Sequence, residues 1–479
     1  METDYITGIK ERIEKSGLPI TEILKIEVDK WHTSERKRLM EEAEQYYRNR
    51  SIVQNKRNTL KNRSNTRIEH PILRKLVEQK VNYLLSNSWS IKSENTSYTT
   101  ELNEIFDDRM RQSIKSWGKE AIKKGIGFVQ VYFDDDKLRL KRIPSEQIIP
   151  YWADEEHTRL EAIIRVYGQT VYKGRYEKDI ARIEYYDDTG VKYFVSESGE
   201  INPDVEKGIE SCHFICEKKG YNWSVPPFLW IKYTEEELPL FYFIKELIDD
   251  INWQESVTAD LLRDIANFIY IIKNYSGTDP DEVIKELKEK LMVLVEGDGD
   301  VDKLTADMNI DAVMKLLDKH RRDVYDYARS VDTQDPNLGD ASGQALKFRY
   351  ADLDMDCNDL EAEVQLAFEN MKVFIDDYLL LTGKGNFKDF DFDVAFKRDV
   401  ITNETEIIDN VVKSKGHISD TTRVARHPWV EDVDKELELL AEEKQEAMEQ
   451  FGSGLFESNF EVSEVTEDDE KDKAEKENQ

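Results

Sequence analysis

The feature that most constrains this chain is a stretch from Gln344 to Thr382 that contains no proline or glycine. Its apolar side chains recur at alternating intervals of four and three residues: Leu346, Tyr350, Leu353, Cys357, Leu360, Val364, Ala367, Met371, Phe374, Tyr378 and Leu381. This spacing places them along one side of an α-helix. At a rise of 1.5 Å per residue, such a helix would be roughly 60 Å long, far above the usual length.

The same stretch is acidic. Between positions 351 and 370 it has no Lys or Arg, and its acids are Asp352, Asp354, Asp356, Asp359, Glu361, Glu363 and Glu369. A turn-rich segment, Thr333 to Asp340, precedes it. The sequence therefore predicts a loop followed by one long helix, apolar on one side and negatively charged elsewhere. On the repeat alone, a coiled-coil or bundle helix of an ordinary scaffold protein remains an open alternative.

Length and composition set the outer bounds. With 479 residues, 39% of them hydrophobic, the chain is too long for one ordinary domain and is not disordered throughout. The 68 Lys and Arg against 100 Asp and Glu give a net charge of −32. Such a chain does not bind nucleic acid through its overall charge, so a role with DNA must be local or must use repulsion.

Targeting and redox signals point to an intracellular protein. Three cysteines make no disulfide framework. The N-terminus has neither the basic nor the apolar region of a secretory signal, and no apolar run is long enough to span a membrane. We therefore expect no membrane partner.

The first half of the chain predicts helices followed by strands. Pro19 introduces a helix that is expected to continue to about Arg48, and His70-Pro71 opens another. From about 100 to 235 the apolar period shifts toward two. A hairpin and three further strands are predicted there: 127–133 with 137–141, then 163–167, 181–185 and 191–195.

The second half predicts a helix pair with a small α/β tip. A helix begins near Pro239, its apolar spacing interrupted at Gln254 and Thr258, and another begins after Asn309 as its N-cap. Between them we expect strands at 268–272 and 291–295 and a helix that begins at Asp279. After the long helix come an alternating strand, 389–396, and helices from 402 to 450 with Ser419 as a cap. From Glu431 to Gln479 there are 19 acids and five lysines, and the last residues are predicted to be disordered.

One segment runs against the overall charge. From Trp31 to Asn82 there are thirteen Lys or Arg and six Asp or Glu. This excess of positive charge indicates either an anionic partner or a surface that pairs with acidic neighbours in the same assembly. The second interpretation is favoured.

Patterns typical of catalysis or metal binding are weak. Asp389, Asp391 and Asp393 alternate on a strand, which favours a solvated face, although a metal-dependent nuclease or phosphohydrolase is the alternative. Asp298, Asp300 and Asp302 resemble the start of a calcium loop but lack its later residues, so they predict a turn. Cys212, His213 and Cys216 lack a second ligand pair at zinc-like spacing. No P-loop or hydrolase motif occurs. We predict no enzyme, no cofactor and no metal.

The order of these parts resembles a known family. The matching stretches are Glu246-Leu-Ile-Asp-Asp-Ile-Asn252, Gly339-Asp-Ala-Ser-Gly-Gln-Ala-Leu-Lys347, Phe396-Lys-Arg-Asp, Asn403, Ser419 and His427-Pro-Trp-Val-Glu-Asp432. Over essentially residues 5–455 the chain is similar to the portal (connector) proteins of tailed bacteriophages, in the siphophage portal family of Gram-positive hosts. The resemblance implies an α+β, predominantly helical subunit that assembles with about eleven copies of itself into a ring at one capsid vertex.

The resemblance also divides the chain. It implies an N-terminal helical region of the wing (1–90), an α+β wing (91–235), a stem helix (236–266), an α/β clip (267–308), a second stem helix (309–332), a channel loop (333–341), a long channel helix (342–382), a wing strand (383–401), a helical crown (402–450) and the acidic tail (451–479). The apolar seam of the long helix is then expected to pack against neighbouring copies.

Site residues and partners follow from the same resemblance. The channel loop would carry Thr333, Gln334, Asp335, Asn337 and Leu338. The acidic channel face would consist of Asp352, Asp356, Asp359 and Glu363, and the clip would contact partners through Asp281, Lys285 and Lys288. The implied partners are a terminase large-subunit ATPase, a head–tail adaptor, the major capsid and scaffolding proteins, and double-stranded DNA that passes without sequence specificity. The protein would lie at the portal vertex of the virion after assembly in the host cytoplasm.

Overall fold

A computed structural model describes residues 9–57, 64–86, 89–134, 137–173, 175–197, 199–216, 218–264, 269–273, 300–304, 309–335, 343–398, 404–430 and 433–451. The chain divides into two compact units. One comprises Met1–Pro336 with Phe348–Asp399, and the other comprises Asn337–Lys347 with Val400–Gln479.

Helices and strands alternate in blocks along the described residues. The helices are α1 Ile9–Ser16, α2 Ile20–Thr33, α3 Glu35–Tyr47, α4 Ile72–Leu85, α5 Thr96–Ile105, α6 Asp108–Lys124, α7 Leu240–Asp264, α8 Ile310–Tyr327, α9 Gly343–Leu381, α10 Glu404–Lys413, α11 Asp420–Ala425 and α12 Val433–Phe451. The strands are β1 Ser90–Lys92, β2 Ile126–Asp134, β3 Lys137–Ile143, β4 Ile148–Trp152, β5 Leu160–Lys173, β6 Tyr176–Asp187, β7 Gly190–Glu197, β8 Glu200–Pro203, β9 Glu210–Ser211, β10 Phe214–Cys216, β11 Lys219–Tyr221, β12 Phe228–Lys232, β13 Ile269–Lys273, β14 Asp300–Leu304 and β15 Asp393–Ala395. The mixed, predominantly helical fold class is confirmed.

The two largest antiparallel sheets among the described residues lie in the first unit. One has the order β12-β2-β3, and the other has the order β4-β5-β6-β7-β8 with β9 also paired to β7. The predicted hairpin is β2 with β3, where Asp134 pairs with Lys137. The meander is β5, β6 and β7. Alternation with period two predicted these strands because one face of each is buried.

The main core lies between the N-terminal helices and these sheets. Leu24 and Trp31 of α2 belong to the same buried cluster as Phe128, Trp152 and Trp230 of the strands. Helix α6 leads into β2 through Gly125, whose φ of 85° suits glycine. A Cβ at that position would lie 1.9 Å from the carbonyl oxygen of Glu237, so the close approach also requires glycine.

The first predicted helix is two helices. The expectation of one helix from Pro19 to about Arg48 is wrong, because the chain breaks at Ser34, whose ψ is 143°. The Ser34 side chain accepts a hydrogen bond from the Lys37 N–H at 3.2 Å and so caps α3. Serine is among the strongest N-cap residues, and this position lay inside an otherwise continuous helical pattern.

An extended strap, residues 64–70, runs along α7. The backbone N–H groups of Thr66, Ile68 and His70 donate to the side chains of Asp260, Ser256 and Asn252 at 2.7, 2.8 and 3.0 Å. Two residues of extended chain span about 6.6 Å and four residues of helix about 6 Å, so the two repeats match. This polar ladder satisfies backbone donors that have no strand partner in the part of the chain that the structure describes.

Helices α7 and α8 pack together as the predicted pair. His320 Nε2 lies 2.9 Å from Asp250 Oδ2 across the contact. Strand β13, which follows α7, pairs antiparallel with β14, which leads into α8, so the helices run in opposite directions. Asp300 and Asp302 lie in β14 rather than in a turn, which corrects that prediction. The predicted helix from Asp279 and strand 291–295 lie outside the described residues.

The parts after α9 largely follow the sequence. Strand β15 covers only three residues of the predicted 389–396 strand and pairs with β1. In the second unit, Ser419 accepts a hydrogen bond from the Thr422 N–H at 3.3 Å, which confirms it as the cap of α11. Helix α12 packs on α11.

Candidate functional site: helix α9 and the chain leading into it

The apolar seam of α9 is buried within its own subunit. Every member of the repeat from Tyr350 to Tyr378 is at most 5% exposed. The ring of Phe374 packs against Trp223 at 5.1 Å, and that of Tyr378 against Phe133 at 5.6 Å. The helix is confirmed, but the expectation that its seam packs on neighbouring copies is wrong, because side chains of the same subunit, among them Trp223 and Phe133 of β2, already cover it.

Several α9 acids are engaged by cations of the same subunit. Arg398 is hydrogen-bonded to the Glu361 carboxylate and lies 3.5 Å from Asp354. Asp376 accepts hydrogen bonds from Tyr98 and Lys372, both at 2.9 Å. Arg398 stands in the Phe396-Lys-Arg-Asp stretch that carried the resemblance, yet no sequence signal gave it this role.

Asp356 forms a buried ion pair. The Lys80 Nζ, on a side chain that is fully buried, donates to Asp356 Oδ2 at 2.7 Å, and the Tyr233 hydroxyl donates to the same carboxylate at 3.1 Å. Burial lowers the pKa of Lys80, and the charge of Asp356 opposes that lowering. Burial raises the pKa of the neighbouring Cys357 thiol to about 12.

The four predicted channel acids are not equivalent. Asp352, Asp356, Asp359 and Glu363 follow the spacing of one helix face. Asp352 is exposed, and the Asp359 side chain is 74% exposed with Arg329 at 3.6 Å. Glu363 is half-buried, and burial raises its pKa. With Asp356 in an internal ion pair, the exposed members of the set are Asp352 and Asp359.

Three of the predicted loop residues are described. Arg321 Nη2 donates to the Gln334 side-chain oxygen at 2.9 Å and to Asp332 at 3.0 Å. Asp335 pairs with Arg349 of α9 at 2.5 Å. Thr333 lies between Asp332 and Gln334 in the chain. Asn337 and Leu338 of the loop, and the predicted clip contacts Asp281, Lys285 and Lys288, lie outside the described residues.

The basic segment from 31 to 82 makes ion pairs inside the subunit. Its cations reach distant acids: Arg36 pairs with Glu237, Lys56 with Asp260, and Lys80 with Asp356. The prediction that this segment pairs with acidic residues therefore holds for these three cations. Their acidic partners, however, lie in the same chain. Sequence reasoning could not find them because about 200 to 280 residues separate the partners.

Within the described residues, no group of three or more His, Cys, Asp or Glu could hold a metal ion. The side chains of Asp389, Asp391 and Asp393 are all exposed. Cys212, Cys216 and Cys357 are free thiols. Nothing in this part of the chain favours the nuclease alternative.

No helix among the described residues is both long and apolar enough to cross a bilayer.

A comparison with known families decides the identity. Residues 27–450 match the family model described as phage portal protein, SPP1 Gp6-like. This match includes the strand-rich part, both helices of the α7–α8 pair, α9 and the second unit as far as residue 450. The chain belongs to the phage portal protein family.

Two curated portal proteins are similar to this chain over most of its length. The portal protein of Bacillus phage SPP1 is 30% identical over 400 residues, which cover 82% of this chain and 79% of that protein. The portal protein of Clostridium phage phiCD119 is 26% identical over 435 residues, which cover 84% and 92%. The non-portal scaffold alternative is therefore wrong.

Solved structures with partial similarity come from gene transfer agent particles. A chain of the neck of a native particle, computed with C12 symmetry, is 11% identical at a TM-score of 0.40 and covers 75% of this portal protein and 90% of that chain. A chain from the virion of a native particle is 12% identical at a TM-score of 0.39, covering 74% and 89%.

Proposed function

We propose that about twelve copies of this portal protein form a ring at one vertex of the capsid, and that double-stranded DNA passes through its channel during packaging and ejection. The observation that carries the proposal is the match of one portal family along residues 27–450. In this assignment residues 236–266 and 309–332, which contain α7 and α8, are the stem. Residues 267–308 are the clip, 333–341 the channel loop and 402–450 the crown.

The partners in this proposal are separate proteins. The clip docks a terminase ATPase and later a head–tail adaptor, while the capsid and scaffolding proteins surround the ring. The portal protein itself is then a non-enzymatic conduit, assembled in the host cytoplasm and retained in the virion. The sequence has no nucleotide-binding motif of its own, which fits an ATPase on another chain.

Exposed aromatic side chains on α7 support assembly. Tyr242, Phe243 and Trp253 are 49%, 44% and 42% exposed in the single subunit. Tyr242 and Phe243 pack edge to face with ring centroids 5.5 Å apart. Tyr242 and Trp253 are eleven residues apart, about three helical turns, so they lie on the same side of α7. Exposed apolar side chains grouped in this way are typical of an interface. We assign them to contacts between copies in the ring.

The first prediction tests this assembly. The purified protein should form rings with a central hole in electron micrographs, and twelve copies of 56.2 kDa would have a mass of about 0.67 MDa. Phe243→Asp should abolish ring formation, because it places a charge in the apolar contact. Native mass spectrometry of both proteins measures the outcome.

Tyr176→Asp is the matched control. Tyr176 is 80% exposed but lies at the β5–β6 turn, so its replacement should leave rings intact. Rings of normal yield from Phe243→Asp would exclude α7 as the contact. A wild-type protein that stays monomeric at high concentration would count against the ring itself.

A further inference from the structure

The chain that leaves α8 is held by α4, a helix of the N-terminal region about 250 residues away in sequence. Helix α8 ends at Tyr327, and Arg329 adopts a left-handed φ of 46°. The backbone that follows has no strand partner among the described residues. One side chain takes that place: the Gln79 amide donates to the Val331 carbonyl at 2.9 Å and accepts from the Val331 N–H at 3.2 Å.

Two lysines of α4 hold the flanks of this contact. Lys80, fixed by Asp356, donates to the Arg329 carbonyl at 3.1 Å. Lys75 donates to the Tyr325 hydroxyl at 2.7 Å. Helix α4 is itself immobilised, because Leu76, Val77, Val81 and Leu84 are all fully buried. The α8 exit therefore rests on a rigid support.

The contacts on the other side of this segment are weaker. Arg321 and Arg349, which bind Asp332 and Asp335, have side chains 45% and 36% exposed. Exposed ion pairs contribute little, because water and salt screen them. Val331, in contrast, is only 4% exposed, and a buried backbone group without a hydrogen-bond partner is costly. The Gln79 amide satisfies two such groups, so it dominates the placement of this segment.

We propose that Gln79 is a positioning residue for DNA translocation: its amide fixes Val331 and thereby sets where the channel loop begins. This inference rests on the proposed function of residues 333–341 as the channel loop. Thr333 is two residues from Val331, so a displacement at Val331 passes directly to the start of the loop. It also gives helix α4 of the N-terminal region a part in the channel.

The test compares Gln79→Leu with Asn82→Ala, a change to an exposed amide of the same helix. Gln79→Leu should form rings in normal yield. Hydrogen exchange of its 329–335 segment should be at least tenfold faster, and DNA packaging in infected cells should fall several-fold. Gln79→Glu keeps an acceptor for the Val331 N–H and should give intermediate exchange. Asn82→Ala should match the wild type in all three measurements.

Each other outcome overturns the proposal. Faster exchange with normal packaging would make Gln79 merely structural, and unchanged exchange would show that its amide does not fix the segment. Loss of rings would mean that the contact holds the fold rather than the loop.

Leu338→Asp separates this inference from the proposed function. If the loop acts on DNA, this loop variant should assemble normally and package poorly. Normal packaging by Leu338→Asp would contradict the role of the loop, whatever Gln79 does. Impaired packaging by Leu338→Asp together with normal packaging by Gln79→Leu would overturn only the inference about Gln79.

Discussion

At the scale of single residues, the Lys80–Asp356 pair is the contact on which several parts of the subunit depend. Lys80 lies on α4, Asp356 on α9, and the two also engage Tyr233 and the Arg329 carbonyl. A buried charge is costly unless it is paired and hydrogen-bonded. The pair is therefore weak evidence of net stabilisation, but removal of either partner leaves the other charge uncompensated.

Asp356→Asn should lower the free energy of unfolding at pH 7 by about 3 kcal/mol, because it leaves the buried Lys80 ammonium without a negative partner. Burial lowers the pKa of Lys80 and Asp356 opposes this, so the variant lowers that pKa further. Between the lowered pKa of Lys80 in the folded variant and about 10.4, the pKa of a lysine in the unfolded chain, Lys80 binds more protons in the unfolded state than in the folded state. Stability rises with pH in that window, so the deficit should shrink from pH 7 to pH 10.

Denaturant unfolding at the two pH values measures this deficit. Asp352→Asn is the control, since Asp352 is an exposed acid one turn away on the same helix, and its cost should stay below about 0.5 kcal/mol. Equal deficits in both variants, or a deficit that grows with pH, would contradict the account of Lys80.

At the scale of elements, helix α7 combines an apolar side with a polar ladder. The sequence shows its apolar repeat interrupted at Gln254 and Thr258. The ladder residues Asn252, Ser256 and Asp260 are 1%, 0% and 9% exposed, so they face the 64–70 strap rather than water. In α7, the four-residue spacing of these buried polar side chains matches the backbone N–H groups of the strap.

Ser256→Ala should destabilise the protein by about 1–3 kcal/mol, because the Ile68 N–H loses its acceptor in a buried setting. Thermal unfolding and hydrogen exchange of residues 64–70 measure this loss, and the strap should exchange faster. Gln254→Ala is the control, since its amide binds Asp250 within the same helix. If the two variants have the same melting temperature and residues 64–70 remain protected from hydrogen exchange, the ladder does not hold the strap.

At the scale of the whole molecule, the charge of −32 has to be reconciled with the proposed passage of DNA through a ring. Many acids of α9 are paired within the subunit. Of the predicted channel face, Asp352 and Asp359 are exposed, and Asp359 lies 3.6 Å from the exposed Arg329. A dozen copies would multiply these charges around the channel. Such a surface repels phosphates and denies DNA the counterion release that drives non-specific binding.

Asp352→Lys with Asp359→Lys should therefore slow DNA packaging, because a ring of cations would retain the DNA backbone. The slowing should weaken as salt is raised, since the attraction is screened. Packaging rates at two ionic strengths measure it. Asp391→Lys, at a 97% exposed side chain near β15, makes the same kind of charge change away from α9 and should package normally. If Asp391→Lys alone slowed packaging, the surface that acts on DNA would not be the α9 face with Asp352 and Asp359.

Local patterns in the sequence determined much of this fold. The α9 seam, the β2–β3 hairpin, the Asn309 and Ser419 caps and the α7–α8 pair follow from side-chain period and capping chemistry, which act over a few residues. The family resemblance rested on the order of these same parts. The break at Ser34 was missed because a cap inside a continuous helical pattern has no distinct signal.

Tertiary structure alone decided which charges are free and what each seam packs against. Periodicity shows that a helix has an apolar side but not whether its own subunit or another subunit covers that side, because both offer apolar surface. Likewise, Asp352 and Asp356 are alike in sequence, and only the arrival of Lys80 from α4 separates them. Contacts between residues hundreds of positions apart depend on how the whole chain packs, and no local pattern records them.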